Sequence, residues 1–280
     1  MSKGLLDPKV DFVFKNIFGS PNHPEILISF LNATLKAKKK IVNVHIKKTD
    51  IEKQYIEDKY SRLDVKATTS NDEIINIEIQ LKNENNMVKR SLYYLSKMYE
   101  EQLNEKEDYS KLVRTVCINI LNFKYLKTDN FHTGYRFKEI ESNEELTDIM
   151  EVHFIEIPKL QDSSDEKDML VAWTEFLKDP ESEKVRGLEL SIEEIRQAKD
   201  ELIRMSNDST QRELYDMRAN SLRDKMSELN AAERKGIEKG REEGRKEEKI
   251  KIARNMKLSG LDTNTIAKIT NLSEDEIDKL

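Results

Sequence analysis

The segment VRTVCINILNF, residues 113–123, constrains the fold more than any other stretch of this chain. It is a nearly continuous run of β-branched and apolar residues, without helical spacing. A strand of that kind has no polar face to give to water, so it belongs in the middle of a sheet covered on both sides. Around it, helix-type and strand-type segments alternate. VDFVFKNIFG reads as a short amphipathic helix, with Val10, Phe14 and Ile17 on one face and Gly19 as its stop. EILISFLNATL, after Pro24, reads as a second helix. IVNVHI, SRLDVKATT and EIINIEIQL read as strands, the last two joined through Ser70, Asn71 and Asp72 as a hairpin. MVKRSLYYLSKMYEEQL has helical spacing, and YRFKEI and EVHFIEI are two further strand segments. The expectation is an α/β core over residues 1–160, a central sheet flanked by helices.

From about residue 165 the β-branched runs stop. EKDMLVAWTEFLKD and SIEEIRQAKDELIRM have helical period, so residues 161–229 are expected to be a helical extension packed on the core. Residues 230–280 are expected to form a charged helix and a small helical tail. Gly236, Gly240 and Gly244 recur at four-residue intervals, leaving one helical face as bare backbone that a second helix can approach closely. A solvated linker helix fits the same residues, weakened by about 1 kcal/mol for each interior Gly. In the tail, Gly260 breaks a helix and Ser273 with Glu276 forms a capping box for the last one. Self-association through these helices into a closed homo-oligomer is the expectation. A helix-turn-helix docking in the major groove is the competing reading.

Composition excludes several classes. The single Cys117 rules out a disulfide framework and a Cys-based zinc site, and His23, His45, His132 and His153 lack metal-ligand spacing. With no apolar signal core and no apolar run of about 18 residues, a soluble, cytoplasmic protein without membrane association is expected. The net charge of −6 does not announce a nucleic-acid partner, but its distribution is uneven. Residues 1–60 carry eleven Lys against seven acidic residues, whereas residues 139–200 carry seven basic and nineteen acidic residues. Such a chain can orient on a polyanion, and its acidic part is equally an ordinary solvated helical surface.

The chemistry concentrates in the hairpin. In EIINIEIQLK the residues alternate strictly: Ile75, Ile77, Ile79 and Leu81 point one way, and Glu78, Gln80 and Lys82 the other. On SRLDVKATT, Arg62, Asp64 and Lys66 share one face. If the strands pair as the turn suggests, Asp64 and Glu78 lie close together. Two such carboxylates repel unless a cation sits between them, and an oxygen-only pair selects a hard ion such as Mg²⁺ or Mn²⁺. By spacing alone the same alternation also describes a solvent-facing sheet surface.

A strand with Asp, a turn, and a strand with Glu-x-Lys resembles the signature of the PD-(D/E)xK nucleases. More closely, the first 160 residues resemble the Rpn family of recombination-promoting nucleases, or transposases, through DFVFKNIFG, YSRLDVKATTSNDEIINIEIQLK, KRSLYYLSKMYEEQL, DYSKLVRTVCINILNF and VHFIEIPKL. EKGREEGRKEE and the helical tail are also similar to that family. The resemblance implies a restriction-endonuclease-like mixed sheet and DNA cleavage dependent on Mg²⁺, or another divalent cation such as Mn²⁺ or Ca²⁺. It implies Asp64, Glu78 and Gln80 as catalytic residues, with Asp64 and Glu78 as metal ligands and Asp11 as a fourth acid. Two positions depart from the wider signature: Leu63 stands where it has Pro, and Gln80 where it has Lys. Gln orients a water by hydrogen bonding but is neither a base nor a charge donor. Lys15, Lys66, Lys82, Lys89, Arg90 and Lys97 are the basic residues expected to meet nucleic acid; Lys89, Tyr93 and Lys97 share one helical face. The reading is a metal-dependent DNA endonuclease of low sequence specificity. The alternative is a catalytically weak nuclease-like module that binds DNA or a partner.

Overall fold

A computed structural model describes residues 4–37, 39–47, 65–165 and 167–280. The run at 113–123 becomes β4 (Thr115–Leu121), and all seven of its residues are buried. Among the described residues six strands form one sheet in the order β1-β2-β3-β4-β6-β5, where β1 is Val44–Lys47, β2 Val65–Thr69, β3 Ile74–Gln80, β5 His132–Lys138 and β6 Glu145–Glu156. The two central pairings, β3 with β4 and β4 with β6, are parallel; the outer ones are antiparallel. A parallel neighbour needs a crossover, supplied between β3 and β4 by α3 (Met87–Glu100).

The two sheet faces differ. α3 buries Met87, Ser91, Tyr94, Leu95 and Met98, a stripe at helical spacing. Met87 and Leu95 pack with Cys117, Leu121, Val152 and Phe154, which alternate along β4 and β6 on one face. Ile75, Ile77 and Ile79 of β3 and Val116, Ile118 and Ile120 of β4 belong to the other face, and all are buried.

Beyond the sheet, α1 (Asp11–Phe18), α2 (Pro24–Leu35), α4 (Met169–Lys178), α5 (Glu183–Glu189) and α6 (Glu193–Asn207) form a helical layer. Its aromatic centre sets Phe18 4.6 Å from Phe14, 5.5 Å from Phe30 and 5.3 Å from Trp173. The Trp173 indole N–H donates to Ser29 Oγ at 3.2 Å, so the one polar atom of that ring is satisfied. Burying each such side chain contributes about 1.5–3 kcal/mol relative to exposure.

α7 runs from Ser209 to Leu258, longer than the sequence pattern indicates. Two units divide the chain, Met1–Ala219 and Asn220–Leu280. In the second, α8 (Thr263–Thr270) and α9 (Glu274–Asp278) close with the end of α7 around Ala253, Ile266, Leu272 and Ile277. Gly260 takes φ +81 at the break, and the Ser273–Glu276 capping box forms as read from the sequence. A Cβ at Gly236, Gly240 or Gly244 would meet nothing within 4 Å, so among the described residues the bare face is not used for close packing. No helix of the described residues is long and apolar enough to cross a membrane.

Candidate active site

The β2–β3 hairpin forms with Val65 opposite Ile77, Lys66 opposite Asn76 and Ala67 opposite Ile75. Asp72 takes φ 61 in the turn, a conformation Asp tolerates. Lys66 therefore shares its face with Asn76 and Glu78, the arrangement the alternation requires. Asp64 and Arg62 lie outside the described residues.

Glu78 sits in the middle of β3, opposite Asn119 of β4. Its side chain is fully buried, at 0% exposure, on the face covered by α3. One turn into α3, Arg90 flanks the apolar stripe and reaches down to the carboxylate. Its Nε lies 3.3 Å from Glu78 Oε2 and its Nη2 3.4 Å from Oε1. The guanidinium also stands over the Tyr94 ring, 5.4 Å from its centroid. Burial pushes the Glu78 carboxyl above its ordinary value, against the opposing charges of Arg90 and then Lys15. Burial likewise works against the charge on Arg90, but Glu78 outweighs it and holds the guanidinium above its usual value.

Next to this pair lies a buried polar layer that sequence reasoning missed. The Ser91 hydroxyl is 2.7 Å from the Met87 carbonyl oxygen and 2.9 Å from Asn119 Oδ1, and Asn119 Nδ2 donates to the His153 carbonyl at 3.1 Å. Asn76 is also fully buried, and its Oδ1 has no hydrogen-bond partner among the described residues. The Cys117 thiol between these amides is pushed up to about 12 by burial, with the charge of Glu78 adding to the effect, so it stays protonated. The signal existed: Asn76, Glu78 and Asn119 are polar residues at alternate positions inside otherwise apolar strands.

The other expected residues divide. Gln80 ends β3, partly exposed, opposite Leu121, and Lys82 follows it, also partly exposed. Lys15 of α1 acts on Glu78 through its charge. Lys66 pairs instead with Glu101 at 3.8 Å, and Lys97 with Glu100 at 3.3 Å and Glu101 at 3.6 Å. Lys89 and Tyr93, the latter 53% exposed, form the outer face of α3. Asp11 opens α1; it accepts from the Phe12 amide and pairs with Arg218 at 3.0 Å, and neither contact brings it to Glu78.

A second ionic network occupies the opposite end of the β3–β4–β6 sheet. Arg114 bridges Glu73 and Glu151, Arg136 Nε adds to Glu151 at 3.0 Å, and Thr69 donates to Glu73 at 2.9 Å. His153 Nε2 contacts Glu151 at 2.7 Å, and His132 Nε2 lies 2.9 Å from His153 Nδ1. The pairing of β5 with β6 is what unites these two distant His residues. It places Gly134 where a Cβ would stand 3.0 Å from the His153 ring.

Chemically, the site offers a desolvated carboxylate on a central strand and a neighbouring amide, Gln80. Both are oxygen donors suited to a hard divalent cation, and Glu78 already holds a positive charge, so the donor chemistry fits such an ion. Among the described residues no group of three or more His, Cys, Asp and Glu is placed to hold a metal.

A mixed sheet with a parallel centre, a β2–β3 hairpin bearing Glu78 and a covering α3 define a restriction-endonuclease-like α/β fold with a helical extension. Residues 8–232 match the PD-(D/E)XK nuclease family transposase model, and the chain belongs to that family. Residues 246–280 match the C-terminal HTH domain of the Rpn/YhgA-like nuclease family. That match favours the helix-turn-helix reading of the tail, which the sequence had placed second to self-association. No curated protein and no solved structure matches the chain.

Proposed function

We propose that this protein is a divalent-metal-dependent DNA endonuclease of low sequence specificity, acting in recombination or with mobile elements. The observation that carries the reading is Glu78, a fully buried carboxylate on the central hairpin of a chain from a nuclease family. A carboxylate kept at the cost of desolvation is a functional-site candidate. Glu78, together with Asp64, would hold the ion. Mg²⁺, Mn²⁺ or Ca²⁺ bound there supplies Lewis-acid polarisation of the phosphodiester and a more acidic water. Gln80 orients the attacking water through its amide and takes no proton. Lys15, whose charge acts on Glu78, offsets charge that develops on the phosphate. Lys89 and Tyr93 on the outer face of α3 position the duplex without reading its sequence. The C-terminal helix-turn-helix supplies a second DNA contact, and pairing of C-terminal helices between copies brings two sites to one duplex.

The second reading is a family member that binds DNA without cutting it usefully. Two observations favour it: Gln80 stands in the Lys position, and Arg90 already neutralises Glu78. Supercoiled plasmid incubated with and without Mg²⁺ separates the two. The first reading expects Mg²⁺-dependent nicking by the parent, lost in Glu78→Ala and Asp64→Ala. Intact plasmid under all conditions with retained DNA binding leaves the second.

A further inference from the structure

The two members of the Arg90–Glu78 pair differ in exposure, as do those of Arg136–Glu151, but here the carboxylate lies in the middle of a central strand. Glu78 is sealed, at 0% exposure, while Arg90 keeps 24% of its side chain in solvent. The carboxylate cannot move without unpacking β3, whereas the guanidinium is on a flexible stem at the rim of α3. Both nitrogen–oxygen separations, 3.3 and 3.4 Å, are long for charge-assisted bonds, which close to about 2.7–2.9 Å when the fork seats fully. Directly outside Arg90 on the same helix lie exposed Lys89 and Tyr93, a surface suited to a phosphate backbone. Arg is also the side chain whose planar fork matches carboxylate and phosphate alike.

We propose that Arg90 is a latched phosphate-binding residue, held on Glu78 until a divalent cation takes its place and then turned outward to DNA beside Lys89 and Tyr93. The inference rests on the reading of Glu78 as a metal ligand and adds a coupling to it. A cation at Glu78 displaces the Arg90 fork, so cation binding and DNA binding become linked, each strengthening the other by the same factor. Arg90 is a positioning and binding residue here and takes no part in proton transfer.

The test is DNA binding by the full chain, measured by fluorescence anisotropy on a labelled duplex across a salt series, with Ca²⁺ or without added cation. The variants are Glu78→Gln, Arg90→Gln and the double variant. Glu78→Gln removes the latch charge at nearly constant volume, so without cation it is expected to bind DNA several-fold tighter than the parent, with a salt slope steeper by about one phosphate. The double variant loses that gain. The parent tightens on adding Ca²⁺, and Arg90→Gln does not; its salt slope in Ca²⁺ is shallower than the parent's by about one phosphate. A gain of equal size in Glu78→Gln and in the double variant overturns the proposal, because the effect is then loss of a negative charge and not release of Arg90. No gain in Glu78→Gln, with its circular dichroism and melting transition like the parent's, also overturns it. Failure of the metal reading looks different: Ca²⁺ leaves parent binding unchanged while Glu78→Gln still gains through Arg90, which supports the latch and removes its trigger.

Discussion

Two ionic clusters sit on the same sheet, and they are built on opposite principles. At one end Glu151 receives Arg114, Arg136 and His153, and Arg114 is shared with Glu73, which Thr69 also supports. Burial alone would raise the Glu151 carboxyl, but bonds from His153 and Arg114 overcome it and bring the group down to about 2. Toward the other end Glu78, buried more deeply, is hydrogen-bonded among the described residues by Arg90 at 3.3 and 3.4 Å, feels the charge of Lys15, and is pushed upward. The first network ties β3, β4, β6 and β5 together. The second sets a carboxylate inside a central strand, with burial outweighing the charges that face it. Such a position is a functional-site candidate.

The largest expected effect is on the first cluster. Arg114→Met leaves Glu73 and Glu151 buried without their shared cation, and stability should fall by about 3–5 kcal/mol in denaturant titration. A loss below about 1 kcal/mol would mean that the network contributes little and that the contrast with Glu78 is misdrawn.

Next is Gly134→Ala. Its Cβ would stand 3.0 Å from His153 Cε1 and 3.2 Å from Nδ1, against a ring stacked on His132 at 5.1 Å. The ring has little room to retreat, so a loss of about 1–3 kcal/mol is expected, read from the thermal midpoint. Unchanged stability would show that the two rings slide freely.

The third effect is a pH dependence of smaller size. Burial, and then the neighbouring charge of His153, holds His132 down to about 4 from 6.5. The unfolded chain takes up a proton that the folded one refuses, so this contribution is present above pH 6.5 and is lost as pH falls towards about 4. Glu151 adds a second loss, beginning near 4.5 and continuing towards about 2. His132→Asn should flatten the upper limb, worth about 1–2 kcal/mol, and leave the lower one steep. If both limbs persist in urea midpoints measured across this range, another group is responsible.

How legible this was in the sequence follows from the same residues. The fully buried β4 was readable because a strand between two parallel neighbours has no polar alternation to confuse it. The hairpin was readable from Ser70-Asn71-Asp72 between alternating segments, and the face shared by Lys66 and Glu78 followed from the period of two. The partner of Glu78 was not readable. Arg90 lies twelve residues away across a loop, and its position beside the apolar stripe of α3 looks like any solvent-facing Arg. The His132–His153 contact depends on the register of β5 with β6, so their spacing in sequence concealed it. Asn119 was hidden inside a run whose apolar neighbours dominated the reading. The length of α7 was obscured by its three glycines, which punctuate the pattern without ending the helix.

Glu78 is buried at the expense of folding, whereas the charge of Glu151 serves it. Denaturant midpoints of Glu78→Gln and Glu151→Gln, measured side by side at pH 7 without added metal, test this contrast most directly. Glu151→Gln is expected to lose about 3 kcal/mol, because Arg114 and Arg136 are left without their common acceptor. Glu78→Gln is expected to stay within about 1 kcal/mol of the parent or become more stable, since a neutral amide lowers the desolvation cost and Arg90 can reach water. A loss in Glu78→Gln as large as that in Glu151→Gln would contradict it and make Glu78 one more structural ion pair.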